Sequence, residues 1–174
     1  MSSPRGMVIN NKNQILITDN GNSRIVKFDT SGNYLGQFGQ SGAQLDNDDL
    51  ADPRGIDIDK HGNIYVANNG LGVVKKFTPE GQFIKSIGYG VISGPTHVAV
   101  INNDQIATIG FGDQSIKVTD QNSQLIRTFG GVNPGSTQFW SIKDISSDFS
   151  GNLYITLRNL GRVLKFDSNG NFIQ

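Results

Sequence analysis

The chain has 174 residues, 22 of them glycine and none cysteine, and its 15 basic and 15 acidic side chains leave no formal net charge. That length allows one domain, the missing cysteine excludes a disulfide scaffold and any thiolate-held zinc or iron–sulfur site, and the charge balance excludes a strongly basic nucleic-acid binder. No apolar run approaches the ~20 residues of a membrane helix, and residues 1–5 do not open a signal peptide.

Strands are predicted over 6–9, then in Ile15-Leu16-Ile17-Thr18-Asp19, over 25–28 and over 34–38. The order returns with 55–58, Ile64-Tyr65-Val66-Ala67-Asn68, 73–77 and 83–87. It returns again with 98–101, Ile106-Ala107-Thr108-Ile109, 116–118 and 125–129. The last copy has 145–147, Leu153-Tyr154-Ile155-Thr156, 163–166 and a stub at 172–174. Gly-bearing turns such as Thr30-Ser31-Gly32-Asn33, Lys60-His61-Gly62-Asn63 and Ser168-Asn169-Gly170-Asn171 separate them. No sustained 3.6-residue period occurs, so no helix is predicted. Several strands are apolar at consecutive positions, the pattern of a sheet covered on both faces.

The copies are in register. Phe28, Phe77 and Phe166 stand at the same distance beyond the second strands, with Val118 in the third copy. Pro4-Arg5-Gly6-Met7, Pro53-Arg54-Gly55-Ile56 and Pro95-Thr96-His97-Val98 precede the first strands, and the fourth copy has Ser141-Ile142-Lys143-Asp144-Ile145. Serial four-stranded units of this size fit an all-β fold, a β-propeller of antiparallel blades at about 4–39, 53–88, 95–130 and 139–174.

Pro53 to Ala67, reading Pro-x-Gly-Ile-x-Ile-Asp-x-x-Gly-Asn-Ile-Tyr-Val-Ala, and the run Asp19-Asn20-Gly21-Asn22-Ser23-Arg24-Ile25-Val26-Lys27-Phe28-Asp29 resemble the NHL repeat. The resemblance implies a six-bladed propeller, of which four NHL-like repeats would be part, with terminal blades exposed to self-association. It weakens in blade three, which lacks Gly after Pro95, and at the start of blade four. The tripartite-motif NHL proteins are similar, and that likeness implies a non-catalytic scaffold. Its top face would meet a protein partner, as the substrate-recruiting part of a ubiquitin ligase, or RNA. The zinc modules of such ligases are not in this sequence, so no ligase activity attaches to these residues.

In a propeller the first strands line the central channel, and the loops joining second to third strands share the top face with the inter-blade loops. Arg5, Arg54, Thr96 and Lys143 then stand at the channel mouth, with His97 beside them. Asn20, Asn69, Phe111 and Arg158 lie in top loops and Trp140 in an inter-blade segment. Cations around one mouth would suit an anionic partner; arginines that pack on a neighbouring blade and pair locally are the plainer alternative. Asp19 and Arg24 are placed to brace one loop. Asp46, Asp48, Asp49 and Asp52 make the 40–52 loop acidic, and it is read as solvated because it lacks calcium-loop spacing.

No metal, cofactor or catalytic group is predicted. His61 and His97, the chain's histidines, fall on opposite faces. The alternative is a calcium-dependent lactonase or lyase, a class that also forms six-bladed propellers. It would use Asp57 and Asp59, although the other first strands offer Met7 and Ile9, Val98 and Val100, and Ile145 and Ser147. No Asn-x-Ser/Thr sequon occurs, which favours a cytoplasmic location, and no membrane partner is expected.

Overall fold

The computed structural model describes residues 1–101, 105–110, 115–130, 142–158 and 161–174. Blade one comprises β1 (Pro4–Ile9), β2 (Gln14–Asp19), β3 (Arg24–Asp29) and β4 (Tyr34–Phe38). The following loop carries a short parallel pair, β5 (Gln40–Ser41) with β6 (Asp49–Leu50). Blade two is β7 (Pro53–Ile58), β8 (Ile64–Asn68), β9 (Val73–Phe77) and β10 (Phe83–Ile87). Blade three is β11 (Pro95–Ile101), β12 (Gln105–Gly110), β13 (Ser115–Thr119) and β14 (Leu125–Gly130). Blade four has β15 (Ile142–Ser147), β16 (Leu153–Leu157) and β17 (Arg162–Phe166), and its predicted stub meets β17 through a bridge from Phe172 to Phe166 and through the amides of Ile173 and Lys165, which donate to Lys165 O and Gln174 O at 2.8 Å each. Single 3-10 turns at Asn20–Asn22 and Asn69–Leu71 are the helical pieces among the described residues.

The consecutive apolar runs are explained by packing on both faces. In β8 the fully buried Ile64 and Val66 join Leu16 and Ile25 of blade one in one core. Tyr65 and Ala67, alternating with them, face Val98 and Ile106 of blade three in another. A third core joins Ala99, Ile109 and Val118 to Leu153, Ile155 and Phe166 of blade four. Each large side chain so buried contributes roughly 1.5–3 kcal/mol.

The hairpins owe their Asp-x-x-Gly-Asn signature to one bonding pattern. At Asp29, Asp59, Asp148 and Asp167, Oδ1 accepts the amides two and four residues on, while Oδ2 accepts the side-chain amide of the Asn four residues on. The Asn bond holds the carboxyls of Asp29, Asp148 and Asp167 below the usual range.

First strands begin earlier than predicted because each is bulged at its top, between Pro4 and Met7, Pro53 and Ile56, Pro95 and His97, and Ile142 and Asp144. A bulge re-aims the side chains beside it. It also brings neighbouring first strands together: a Cβ on Gly6 would lie 2.6 Å from Arg54 O, and one on Gly55 would lie 2.8 Å from His97 Cα. Thr18 Oγ1, fully buried, accepts the Gly6 amide at 2.7 Å and donates to Arg54 O at 2.7 Å, pinning blade one to blade two.

Candidate active site

The four bulges surround one end of a cavity of about 790 Å³. Arg5, Arg54, Thr96 and Lys143 all line it, as the sequence reading placed them, together with Asp57, His97 and Asp144. A second cavity of about 980 Å³ opens on the other side of Asp57, between Asn10, Lys60, Ser147 and Phe149.

His97 is the most defined group. Thr96 Oγ1 lies 3.1 Å from Ile109 O and 2.9 Å from His97 Nδ1. With the hydroxyl donating to the Ile109 carbonyl, we assign the imidazole proton to Nδ1, which leaves the Nε2 lone pair free. Nε2 lies 4.0 Å from Asp144 Oδ1. Burial pushes the imidazole below its ordinary value of 6.5, aided by Arg54 and Lys143 and opposed by Asp144. The ring is therefore neutral at pH 7.

Asp57 reaches across from β7 to β11. Its Oδ2 accepts the Val100 amide at 2.7 Å, and its Oδ1 accepts the Ile58 amide at 2.8 Å. Burial pushes its carboxyl up to about 6 against those two bonds, with Asp144 and Asp59 adding to the rise. Arg54 is held by Asp52 Oδ2 through Nη2 at 2.7 Å and Nε at 3.0 Å, the local pairing the alternative reading foresaw. The Arg54 bonds in turn keep the Asp52 carboxyl low. Arg5 and Lys143 are exposed and make no ion pair among the described residues.

Other predicted contacts serve the architecture. Asn20 Nδ2 donates to Pro53 O at 3.0 Å and to Asp52, and Asn69 Nδ2 donates to Gly94 O at 2.6 Å, so both clamp the next blade. Asp19 and Arg24 form the expected tie at 2.8 Å. Arg158 is exposed, and Phe111 and Trp140 lie outside the described residues.

The acidic 40–52 loop is not a solvated run. The fully buried Lys75 donates to the carbonyls of Gln44, Leu45 and Asn47 at 2.8, 3.1 and 2.9 Å. Buried Asp49 accepts the Gln44 amide at 2.9 Å. An internal ammonium thus fills the nest of carbonyls that a bound cation would use. The described channel residues do not form a calcium site either. Asp59 is spent on its hairpin, and no group of three His, Asp or Glu close enough to hold a metal occurs among the described residues.

Comparison with known proteins corrects the expected relationship. The NHL repeat model matches residues 1–28. Over nearly the whole chain, the similar structures include lyases and lactonases. A virginiamycin B lyase from Staphylococcus aureus, solved with quinupristin, is 12% identical with a TM-score of 0.70, and the match covers 99% of this chain and 55% of that one. A gluconolactonase from Xanthomonas campestris is 16% identical with a TM-score of 0.70, over 99% of this chain and 61% of that one. The fold also occurs in a nidogen/laminin complex, at 18% identity and a TM-score of 0.76, over 99% of this chain and 62% of that one. The chain spans about half the length of the lyases it matches. These likenesses establish the propeller. They replace the tripartite-motif NHL relationship, and with it the non-catalytic scaffold for a protein or RNA partner, by a group of propellers that includes enzymes.

The sequence names Asp57 only beside Asp59, in the calcium-dependent alternative, and gives Asp144 no role, although it occupies the register position of Gly6, Gly55 and His97. No helix among the described residues is long and apolar enough to cross a membrane.

Proposed function

We propose that the channel mouth is the catalytic site of a lactonase- or lyase-type enzyme that opens a cyclic ester. The observation that carries this reading is the meeting of His97, its Nδ1 2.9 Å from Thr96 Oγ1, with Asp57, Asp144 and Arg54 around one cavity. The kinship in fold with lyases and a gluconolactonase supports it.

His97 Nε2 takes a proton from water as the water oxygen bonds to the ester carbonyl carbon, and the C=O electron pair moves onto oxygen. Arg54, anchored by Asp52, stabilises that oxyanion. When the carbonyl re-forms, the ring C–O bond breaks and the departing oxygen takes the proton of Asp57. Proton return from His97 to Asp57 through solvent completes the turnover. A base and an acid whose environments set their protonation in this way act together in general acid–base catalysis, typically worth ~10²–10⁴-fold each. Asp144 faces the imidazolium as it forms. Activity falls as pH rises through about 6, where Asp57 loses its proton, and falls again at lower pH as His97 gains one.

The test is ring opening of gluconolactone near pH 6, followed by mass spectrometry and ultraviolet absorbance. Hydrolysis adds one water to the mass, whereas elimination leaves the mass unchanged and creates an absorbing double bond. The expected result is opening above the buffer rate that drops at least ~10²-fold in His97→Gln. An equal rate in wild type, His97→Gln and buffer would refute the assignment.

A further inference from the structure

The register of the first strands sorts the site into layers. Arg5, Arg54, Thr96 and Lys143 share the outermost register position, and Gly6, Gly55, His97 and Asp144 share the next. Asp57 lies three residues below Arg54 on β7, past the bulge between Pro53 and Ile56. Cations therefore stand at the mouth, and the groups suited to acid–base work lie beneath them.

The cations differ in what holds them. Arg54 is engaged by Asp52. Arg5 and Lys143, on the outer two of the described blades, are exposed, line the same cavity and have no ion-pair partner among the described residues. Two carboxylates temper them: Asp144, exposed beside Lys143 with its Oδ1 accepting the Ile145 amide at 2.9 Å, and Asp52, whose carboxyl Arg5 helps to keep low. Asp57 is deep and holds its proton up to about pH 6, so Arg5, Arg54 and Lys143 leave the rim with an excess of positive charge. A ligand entering from the mouth thus meets positive charge first and the base second.

Resting on the catalytic reading above, we infer that the channel selects a cyclic ester bearing an anionic oxygen group, a carboxylate or a phosphate, on the side of the ring that faces the mouth. Arg5 and Lys143 are the specificity-determining pair. They hold the anionic group at the rim while the ester carbonyl reaches His97. Walls of low dielectric strengthen such a field and raise the local concentration of an anionic substrate, commonly ~10-fold or more. Exposed charges are also screened by salt, so the preference weakens as ionic strength rises.

The test compares gluconolactone, its carboxylate-bearing counterpart glucarolactone and phosphogluconolactone, in wild type and in the Arg5→Gln/Lys143→Gln double variant. Both side chains are exposed, so glutamine there leaves the inter-blade cores untouched. The expected result is kcat/KM at least ~10-fold higher for a charged lactone, carried mainly by KM. That ratio collapses toward one in the double variant and at high salt. The carboxylate and phosphate arms report which anionic group the rim takes. A ratio near one in wild type, or a ratio the double variant leaves intact, would overturn the inference.

Calorimetric binding of glucarate, the ring-opened dianion, separates the two claims. Binding that needs Arg5 and Lys143 without any lactone turnover would strike the catalytic reading and leave the anion-selective rim standing. Turnover without selectivity would strike the rim alone.

Discussion

Blades one and two meet the channel with Arg5-Gly6 and Arg54-Gly55, whereas blades three and four present Thr96-His97 and Lys143-Asp144 at the same register. In the first pair the neighbouring strand comes so close that a Cβ would touch backbone, 2.6 Å from Arg54 O or 2.8 Å from His97 Cα. In the second pair side chains fit, and His97 Nε2 and Asp144 Oδ1 face each other at 4.0 Å. Glycine is thus the condition for tight docking of first strands, and reactive groups occupy the positions that escape that condition. The repeat supplies the frame; its departures supply the chemistry.

The comparison can be broken most forcefully from the loop side. Lys75→Met leaves three carbonyls without their donor and releases the 40–52 loop that carries Asp52. Urea unfolding should show a loss of about 3 kcal/mol, since buried acceptors stripped of a partner cost ~1–3 kcal/mol each and part of that is recovered by water. Burial pushes the Lys75 ammonium down against the pull of Asp49, Asp46 and Asp48, so the folded chain releases this proton before the unfolded chain does, and this group should add stability to the unmodified protein as pH rises through the alkaline range below the titration of ordinary lysines.

Gly55→Ala tests the docking argument itself. Its methyl would meet His97 Cα and the Val98 amide, which are backbone and cannot rotate away. The expected cost is about 2 kcal/mol in the same unfolding experiment. The equivalent change away from the channel, at Gly90 in its open surroundings, relieves no such contact and mainly reports the strain of its φ of +73°.

Asp57→Asn sharpens the difference through pH. A carboxyl raised from 3.8 to about 6 stays protonated in the folded chain where the unfolded chain has already ionised, so its contribution to stability is lost as pH rises through about 6. Asparagine does not titrate and keeps an acceptor for one of the two amides that Asp57 holds, so the variant should be less stable than wild type at pH 4 by about 1–3 kcal/mol, with the gap narrowing by pH 7.5, while ring opening falls.

Much of this was legible in sequence. The Asp-x-x-Gly-Asn turns and the doubly buried second strands repeat the same local physics in each blade, so their spacing predicts the fold and the placement of Arg5, Arg54, Thr96 and Lys143 around one mouth. The bulges were not legible, because a register shift depends on the partner strand; hence the late predicted starts of β1, β7, β11 and β15. The loop around Asp46–Asp49 read as solvated because its counter-charge, Lys75, comes from a strand of the following blade. The alignment puts Asp144 level with His97, but their approach to 4.0 Å depends on how blades three and four pack, which repeat spacing does not carry.

The central claim is that His97 is a neutral base with a bare Nε2. With His61 as the other histidine, a long-range proton–nitrogen NMR titration resolves both rings, and His97→Gln assigns them. The account predicts that His97 is the Nδ1-protonated tautomer at pH 7 and takes its second proton below 6.5. An Nε2-protonated ring, or one that titrates above 6.5, would contradict it.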